Sequence, residues 1–340
     1  MIRNLSPVRR KQEGFTLVEL MVSLVLGLIV TAAALAMFLS NRQVYASTEN
    51  LSRAQESVRN AFELMSREMR ESGTSACETS LPTVNLLNGF AGTWYYNFDS
   101  PIHGYDGTQA LSGTDTPIGT AFGQRINGTD AIELKSAAND SVAITAANQA
   151  AAQLTVNTIN HGISTGDLVM LCDFDHAAIV QVSSASPGVT ATITHDTAGT
   201  PGNCTRGVGY SLPANCAGSG SPYTYATNAY ISRMRMERWY VGNGKRGPSL
   251  FESALVNNGG ALSIENREIA EGVTDMQLQY LLLGATDYVD ASTISASNWA
   301  STNVLAVRVQ LTLLGANPGE GGDSIPRRLE HTVTLRNRVP

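Results

Sequence analysis

Charge and aromatic rings are scarce in this 340-residue sequence. Asp, Glu, Lys and Arg make up 15% of it, against the usual quarter or so, and Phe, Trp and Tyr 6%. Hydrophobic residues reach 43%, which excludes a disordered chain. The length suffices for one large or two ordinary domains. Basic residues are outnumbered 23 to 29, and the net charge of −6 (pI about 5.4) argues against a general nucleic-acid binder. Four cysteines are too few for a disulfide-dense mini-scaffold, and without any CxxC they do not make a zinc ribbon. HExxH, GxSxG and the Walker A pattern are missing, so no catalytic residue, cofactor or metal is expected. One GxGxxG match runs from Gly242 to Gly247 after a strand candidate, Trp239–Val241. Pro248 and a second strand-like run follow it where a phosphate-binding turn needs a helix, so it reads as a hairpin turn. No fixed-period repeat is present. Thirty-one glycines with so few charges suggest a loop-rich β protein.

Proline is also absent between Phe15 and Pro82. A basic segment (Arg3, Arg9, Arg10, Lys11) closes at Glu13 and Gly14, and 25 apolar residues then run from Phe15 to Leu39 with one charge, Glu19. At about 1.5 Å per helical residue this run can cross a ~30 Å hydrocarbon layer. The basic leader predicts a cytoplasmic N-terminus and an exported remainder. A secretory signal peptide is the alternative, with Thr31–Ala36 as its small residues. Two details oppose it. A carboxylate costs roughly 2.5–3.5 kcal/mol at a bilayer centre, less near its edge. The helical pattern also continues through residues 40–72. There Val44, Thr48, Leu51, Gln55, Val58, Phe62, Met65 and Met69 mark one face. Charges at i,i+4 mark the other: Glu49–Arg53, Arg59–Glu63, Glu63–Arg67 and Arg67–Glu71. Gly73 is the expected stop.

Gly14-Phe15-Thr16-Leu17-Val18-Glu19, followed by the uninterrupted apolar run, resembles the prepilin motif of type IV pilins and type II secretion pseudopilins. The resemblance implies cutting after Gly14 by a prepilin peptidase, N-methylation of Phe15, and retention of the apolar segment. Cutting there removes four cations and Glu13, taking the side-chain charge from −6 to −9. It also frees an α-amine at Phe15, which a neighbouring subunit's Glu19 carboxylate can pair with. Such a pair offsets the burial of Glu19 and sets axial register. The plainer reading is a Glu19 that snorkels to the interface.

Looser patches resemble PilW-type minor pilins. They are Glu63–Arg70 through Cys77, Gly166–Asp173, Arg238–Val241 with Leu250-Phe251, Glu271–Met276, and the ending Leu335-Arg336-Asn337-Arg338. Ser72-Gly73 and Ala76-Cys77 depart from that family's Ala-Gly and Gly-Cys pairs. The J-type pseudopilin is the nearest competitor. The resemblance implies an α+β fold with a long N-terminal helix on a mostly antiparallel sheet. The parts are a 1–14 leader, a 15–39 membrane and fibre-core helix, a 40–73 amphipathic helix and a 74–340 periplasmic β-rich domain. It further implies a non-enzymatic subunit that waits in the inner membrane and joins the pilus fibre at the cell surface. Other minor pilins, the major pilin and a PilY-type tip adhesin are the implied partners, and nucleic acid is not. A DNA-uptake or adhesive binding module is the alternative from another class.

The β-rich part has strand candidates at Ala131–Lys135, Ala143–Ala146, Leu154–Val156, Leu168–Cys172, Ala178–Val182 and Ala191–Ile193. Segments 100–129 and 196–229 read as long surface loops. In Val304–Leu313 the alternation puts Leu305, Val307, Val309, Leu311 and Leu313 on one buried face. Met276, Leu278, Tyr280 and Leu282 repeat it, as do Met234, Met236 and Tyr240, and Val333 with Leu335 supplies a last strand. An exported domain keeps disulfides. Cys204 and Cys216 bracket a short Gly/Pro-bearing loop, which favours that pair and leaves Cys77 with Cys172 among three possible pairings. Asp173, Asp175 and His176 are candidate metal ligands, though Asp-rich segments are more often turns. Arg233, Arg235 and Arg238 with Arg327 and Arg328 are a candidate basic patch.

Overall fold

The computed structural model describes residues 14–73, 77, 81–300, 303–313 and 327–335. The leader residues 1–13 and the Arg336–Arg338 ending lie outside the described residues. Helix α1 runs from Leu17 to Glu71. The chain divides into two compact units, Met1–Arg53 and Ala54–Pro340.

In the first unit the stretch Leu17–Ala46 of α1 is long and apolar enough to cross a membrane, and none of it is buried. Its polar side chains turn inward on their own helix. Ser23 Oγ donates to the Leu20 carbonyl, and Thr31 Oγ1 to those of Gly27 and Leu28. A hydroxyl bonded to its own helix needs no water, so the stretch suits an apolar medium.

The second unit holds the rest of α1 and the strands. In chain order these are β1 (Thr83–Asn85), β2 (Ile102–Tyr105), β3 (Ala131–Ala137), β4 (Val142–Asn148), β5 (Gln153–Val156), β6 (Leu168–Cys172), β7 (Ala177–Gln181), β8 (Ser184–Ala185) and β9 (Thr192–Thr194). The longer strands follow: β10 (Tyr230–Gly244), β11 (Gly247–Asn258), β12 (Ala261–Glu271), β13 (Val273–Leu282), β14 (Tyr288–Val289), β15 (Val304–Leu313) and β16 (Arg327–Thr334). Among the described residues they form a twelve-stranded sheet and a four-stranded one ordered β14-β13-β15-β16. Strand β10 organises the larger sheet. Its first residues pair with β6 and β4, and its remainder with β3 and β11. All pairings are antiparallel apart from β1 with β7. The chain is therefore α+β and pilin-like: one long, N-terminally apolar helix and a mostly antiparallel β domain.

The helical face read from the sequence is buried from Val58 onward. Val58, Ala61, Met65 and Met69 pack with Trp239, Leu250, Met276, Tyr280 and Val307 in one core. Val44 and Thr48, further up the same face, are exposed. Of the i,i+4 charge pairs whose side chains are both described, Arg59–Glu63 closes at 3.8 Å, while Glu71 faces Arg235 at 3.6 Å; the Arg53 side chain of the Glu49–Arg53 pair lies outside the described residues. The helix stops as its C-terminal glycine requires. Gly73 adopts φ 77, and its N–H donates to the Lys135 carbonyl of β3.

Two expectations change. Segment 100–129 is a partly exposed loop only after its first residues. It contains β2, and Arg125 within it is fully buried, its guanidinium bonded to the carbonyls of Asp106, Gln109 and Thr129. Segment 196–229 forms no strand, yet it too packs inward. Val208 and Tyr225 join a second core, and buried Asn203 acts as a polar pin, accepting from Gln181 N–H and donating to the carbonyls of Gln181, His195 and Asp196. In β15 the alternation holds for Val307, Val309, Leu311 and Leu313 but fails at Leu305, which is half-exposed. The pairing skips it: Leu281 faces Ala306 and Leu282 faces Val304, so Leu305 is the extra residue of a bulge.

Met65 is fully buried in the core shared by the helix and the strands. Truncating it to alanine should cost about 2–5 kcal/mol in denaturant unfolding of the mature chain. A loss below about 0.5 kcal/mol, the range of an ordinary surface change, would mean that this helical face is not packed as described.

Candidate functional sites: the helix start and a buried acid cluster

Helix α1 begins with a reciprocal cap. Thr16 Oγ1 accepts from the Glu19 N–H at 3.3 Å. Glu19 Oε2 accepts from the Thr16 N–H at 3.1 Å and from its hydroxyl at 2.9 Å. This is the capping-box arrangement, which satisfies two of the otherwise orphaned donors at a helix start. Both bonds use Oε2, and Oε1 has no partner among the described residues. Glu19 can therefore order the first turn and still accept a hydrogen bond from another group. Gly14 and Phe15 precede the helix directly, and both are exposed.

The cysteines form two bridges, Cys77–Cys172 and Cys204–Cys216. The first ties the segment after α1 to β6, and the second closes a twelve-residue separation. Asp173, Asp175 and His176 are used up by a turn. Asp173 Oδ1 accepts from the N–H groups of Asp175 and His176, and its Oδ2 accepts the Tyr223 hydroxyl at 2.5 Å. The His176 ring is held by Asp175 at 3.0 Å and by the Val208 carbonyl at 2.8 Å. The candidate basic patch does not assemble. Arg238 is fully buried, Arg233 pairs with Asp140, Arg235 faces Glu71, and Arg327 and Arg328 lie in the other sheet. Alternation along β10 separates Arg238 from Arg233 and Arg235, because odd and even positions face opposite sides. Gly242–Gly247 forms the β10–β11 hairpin, with Gly244 opposite Gly247 at φ 129.

The sequence reading missed an acid cluster. Glu68 of α1, Glu237 of β10 and Glu252 of β11 bring carboxylate oxygens within 4.8 Å of one another. Glu68 and Glu252 are buried. Glu68 Oε2 accepts the Trp239 indole N–H at 2.6 Å, and Glu68 and Glu237 share a hydrogen bond. Burial and the neighbouring Glu237 charge push the Glu68 carboxyl up to about 9, with the indole opposing. Burial and Glu252 push Glu237 up to about 7. Burial raises Glu252 as well, against the pull of Arg267 at 4.0 Å. Three carboxylates this close can hold a cation or share protons. The Glu68–Glu237 hydrogen bond is the second arrangement, a neutral acid donating to a carboxylate. Sequence offers one clue, namely that Glu68 follows Met65 and precedes Met69 on a buried helix face.

Residues 9–35 match the family described as the prokaryotic N-terminal methylation motif. No curated protein and no solved structure matches the chain. The motif, on an apolar helix that fits membrane anchoring, supports a type IV pilin- or pseudopilin-like protein. Such a protein is structural, processed by a prepilin peptidase and built for assembly.

The acid cluster sets a pH dependence. Glu68 and Glu237 titrate above their ordinary 4.5, so the folded state binds more protons than the unfolded chain. Their contribution to stability is whole below about 4.5, falls from there upward, more gently once Glu237 has lost its proton above about 7, and is lost above about 9. Arg235, Arg267, Glu71 and Glu265 also face the cluster and modulate the slope. Melting temperature of the mature chain should fall between pH 5 and 9, and Glu68→Gln, which keeps a neutral hydrogen-bonding group, should flatten that fall. An unchanged slope in Glu68→Gln would show that another group governs it.

Proposed function

We propose that this chain is a PilW-like minor pilin, a non-enzymatic subunit that helps prime the type IV pilus and stays near its tip. The observation that carries the reading is the methylation motif at residues 9–35 on a helix whose apolar stretch, Leu17–Ala46, is unburied among the described residues. Prepilin peptidase cuts after Gly14, and Phe15 becomes the methylated N-terminus. Before assembly the apolar helix anchors the subunit in the inner membrane, N-terminus inside and β domain in the periplasm. After assembly the helix lies in the fibre core beside other minor pilins and the major pilin, and the β domain contacts neighbours and a PilY-type adhesin. Glu19, with Oε1 unoccupied, docks on the freed amine of the adjacent subunit.

Intact mass of the mature protein should correspond to a chain beginning at methylated Phe15. Glu19→Ala should lower its amount in sheared fibres several-fold relative to whole cells, while the melting temperature of the purified chain stays unchanged. Wild-type incorporation of Glu19→Ala would remove the docking role. Deletion should abolish twitching motility, and a secretion defect in its place would assign the chain to the J-type pseudopilins.

A further inference from the structure

Two loops meet where β6 turns into β7. The connection 173–176 carries Phe174, and the segment between Cys204 and Cys216 carries Tyr210 and Leu212. His176 joins them: its Nε2–H donates to the Val208 carbonyl at 2.8 Å, and its ring lies 6.4 Å from that of Tyr210. Three large side chains are held out to solvent here, Phe174 at 74% exposure, Tyr210 at 43% and Leu212 at 80%. Both loops are braced. Phe174 stands two residues past Cys172, which is bridged to Cys77, and the neighbouring Asp173 is bonded to the Tyr223 hydroxyl. Tyr210 and Leu212 lie inside the loop that Cys204–Cys216 closes. Loops fixed in this way hold their apolar side chains out and enter a complex with little ordering cost. Apolar side chains grouped at one exposed place mark a contact surface.

The patch stands past the end of α1. Gly73 bonds to Lys135, Lys135 pairs with Met236 of β10, and β10 reaches from Met236 back to Tyr230, the partner of Cys172. At ~3.3 Å per residue, that stretch of strand sets Cys172 about 20 Å from where the helix ends.

Composition narrows the occupant. Between Asp196 and Arg233 the sequence has one charged residue, Arg206, and is rich in Tyr, Ser, Gly and Asn. Charge depletion around exposed aromatic rings is the signature of a protein–protein interface core, and Tyr with Ser, Gly and Asn is the composition of loops that bind folded proteins. A nucleic acid or an anionic lipid surface needs a cluster of cations, which Arg206 alone does not make. A symmetric pair of copies would set pole against pole and point the two α1 helices in opposite directions. Subunits of one membrane or fibre run in the same direction. We propose that this pole docks a different, folded protein chain, with Phe174 and Leu212 seated in an apolar, uncharged depression on it and Tyr210 beside them. The choice of a different chain over a second copy rests on the pilin reading; the patch itself does not.

The test starts in whole cells. A photo-crosslinking amino acid replaces Phe174, Leu212 or, as a control, the exposed Val189. Irradiation should join the first two variants to the same other polypeptide, identified by its peptide masses, and the Val189 variant should give no such adduct. That polypeptide, purified, should bind the full mature chain in detergent. Leu212→Asp should weaken the binding about tenfold or more, as for an interface hot spot. Val189→Asp should leave it within about twofold, and both changes fall on exposed side chains, where folding is little affected. Raising NaCl from about 50 to 500 mM should move Kd less than about threefold, because so little charge is involved. Four results overturn the proposal: no adduct at Phe174 or Leu212, an adduct with a second copy of this chain, an adduct with lipid or nucleic acid, or unchanged binding in Leu212→Asp. A mature chain that begins elsewhere than methylated Phe15 would sink the pilin reading without altering these adducts, so the two failures are told apart.

Discussion

The apolar stretch of α1 is not buried by any described residue, and the assembly reading depends on that. Thirty residues, Leu17–Ala46, are exposed with none buried, far more than a soluble monomer tolerates in one continuous apolar surface. At roughly 25 cal/mol per Å², so much apolar surface must be covered by something other than water. A bilayer satisfies it, and so does a bundle of like helices, because each replaces water with apolar atoms. Polar groups within the stretch agree with both media. Ser23 and Thr31 bond to their own helix, and Glu19 bonds to Thr16. One carboxylate oxygen is left over, and an apolar surround makes an unmatched charge expensive enough to demand a specific partner.

Past Ala54 the same helix meets the opposite condition. Val58, Ala61, Met65 and Met69 are covered by strands of both sheets. Into that cover the chain places a carboxyl, Glu68, fixed to Trp239 and sharing a hydrogen bond with Glu237. A second buried polar system runs through Arg238, Glu133 and Lys135, and a third holds Arg125 on three carbonyls. Buried polar groups of this kind specify one packing, because any slip leaves a charge without its partners. Gly104 shows how tightly β2 is set, since an added Cβ there would collide with the Tyr280 hydroxyl.

Legibility followed the physics of each element. Long apolar periodicity is a local property, so α1 and its stop at Gly73 could be read directly, and so could the alternation along β13 and most of β15. The fully buried strands β6 and β7 were visible as short apolar runs. Segments 100–129 and 196–229 are loops apart from β2, as their composition suggests, and what stayed hidden is the few residues in them that distant partners bury. Arg125 is inside only because Asp106, Gln109 and Thr129 turn their carbonyls toward it. The Leu305 bulge was equally hidden, being decided by the register with β13.

By itself, then, the sequence determined the apolar rod, its cap from Thr16 and Glu19, the position where the helix ends, and the α+β class. These depend on neighbours a few residues apart, where hydrogen-bond geometry and periodicity act without help from elsewhere. Tertiary structure alone decided which charges went inside. Glu68, Glu237 and Glu252 come from one helix and two strands, up to 184 positions apart in the chain, and only sheet pairing and helix packing bring them within 4.8 Å. The same holds for Glu133 and Lys135 of β3, which meet Arg238 of β10 in a buried network. Charge burial is set by what surrounds a group in space, and no local pattern encodes that.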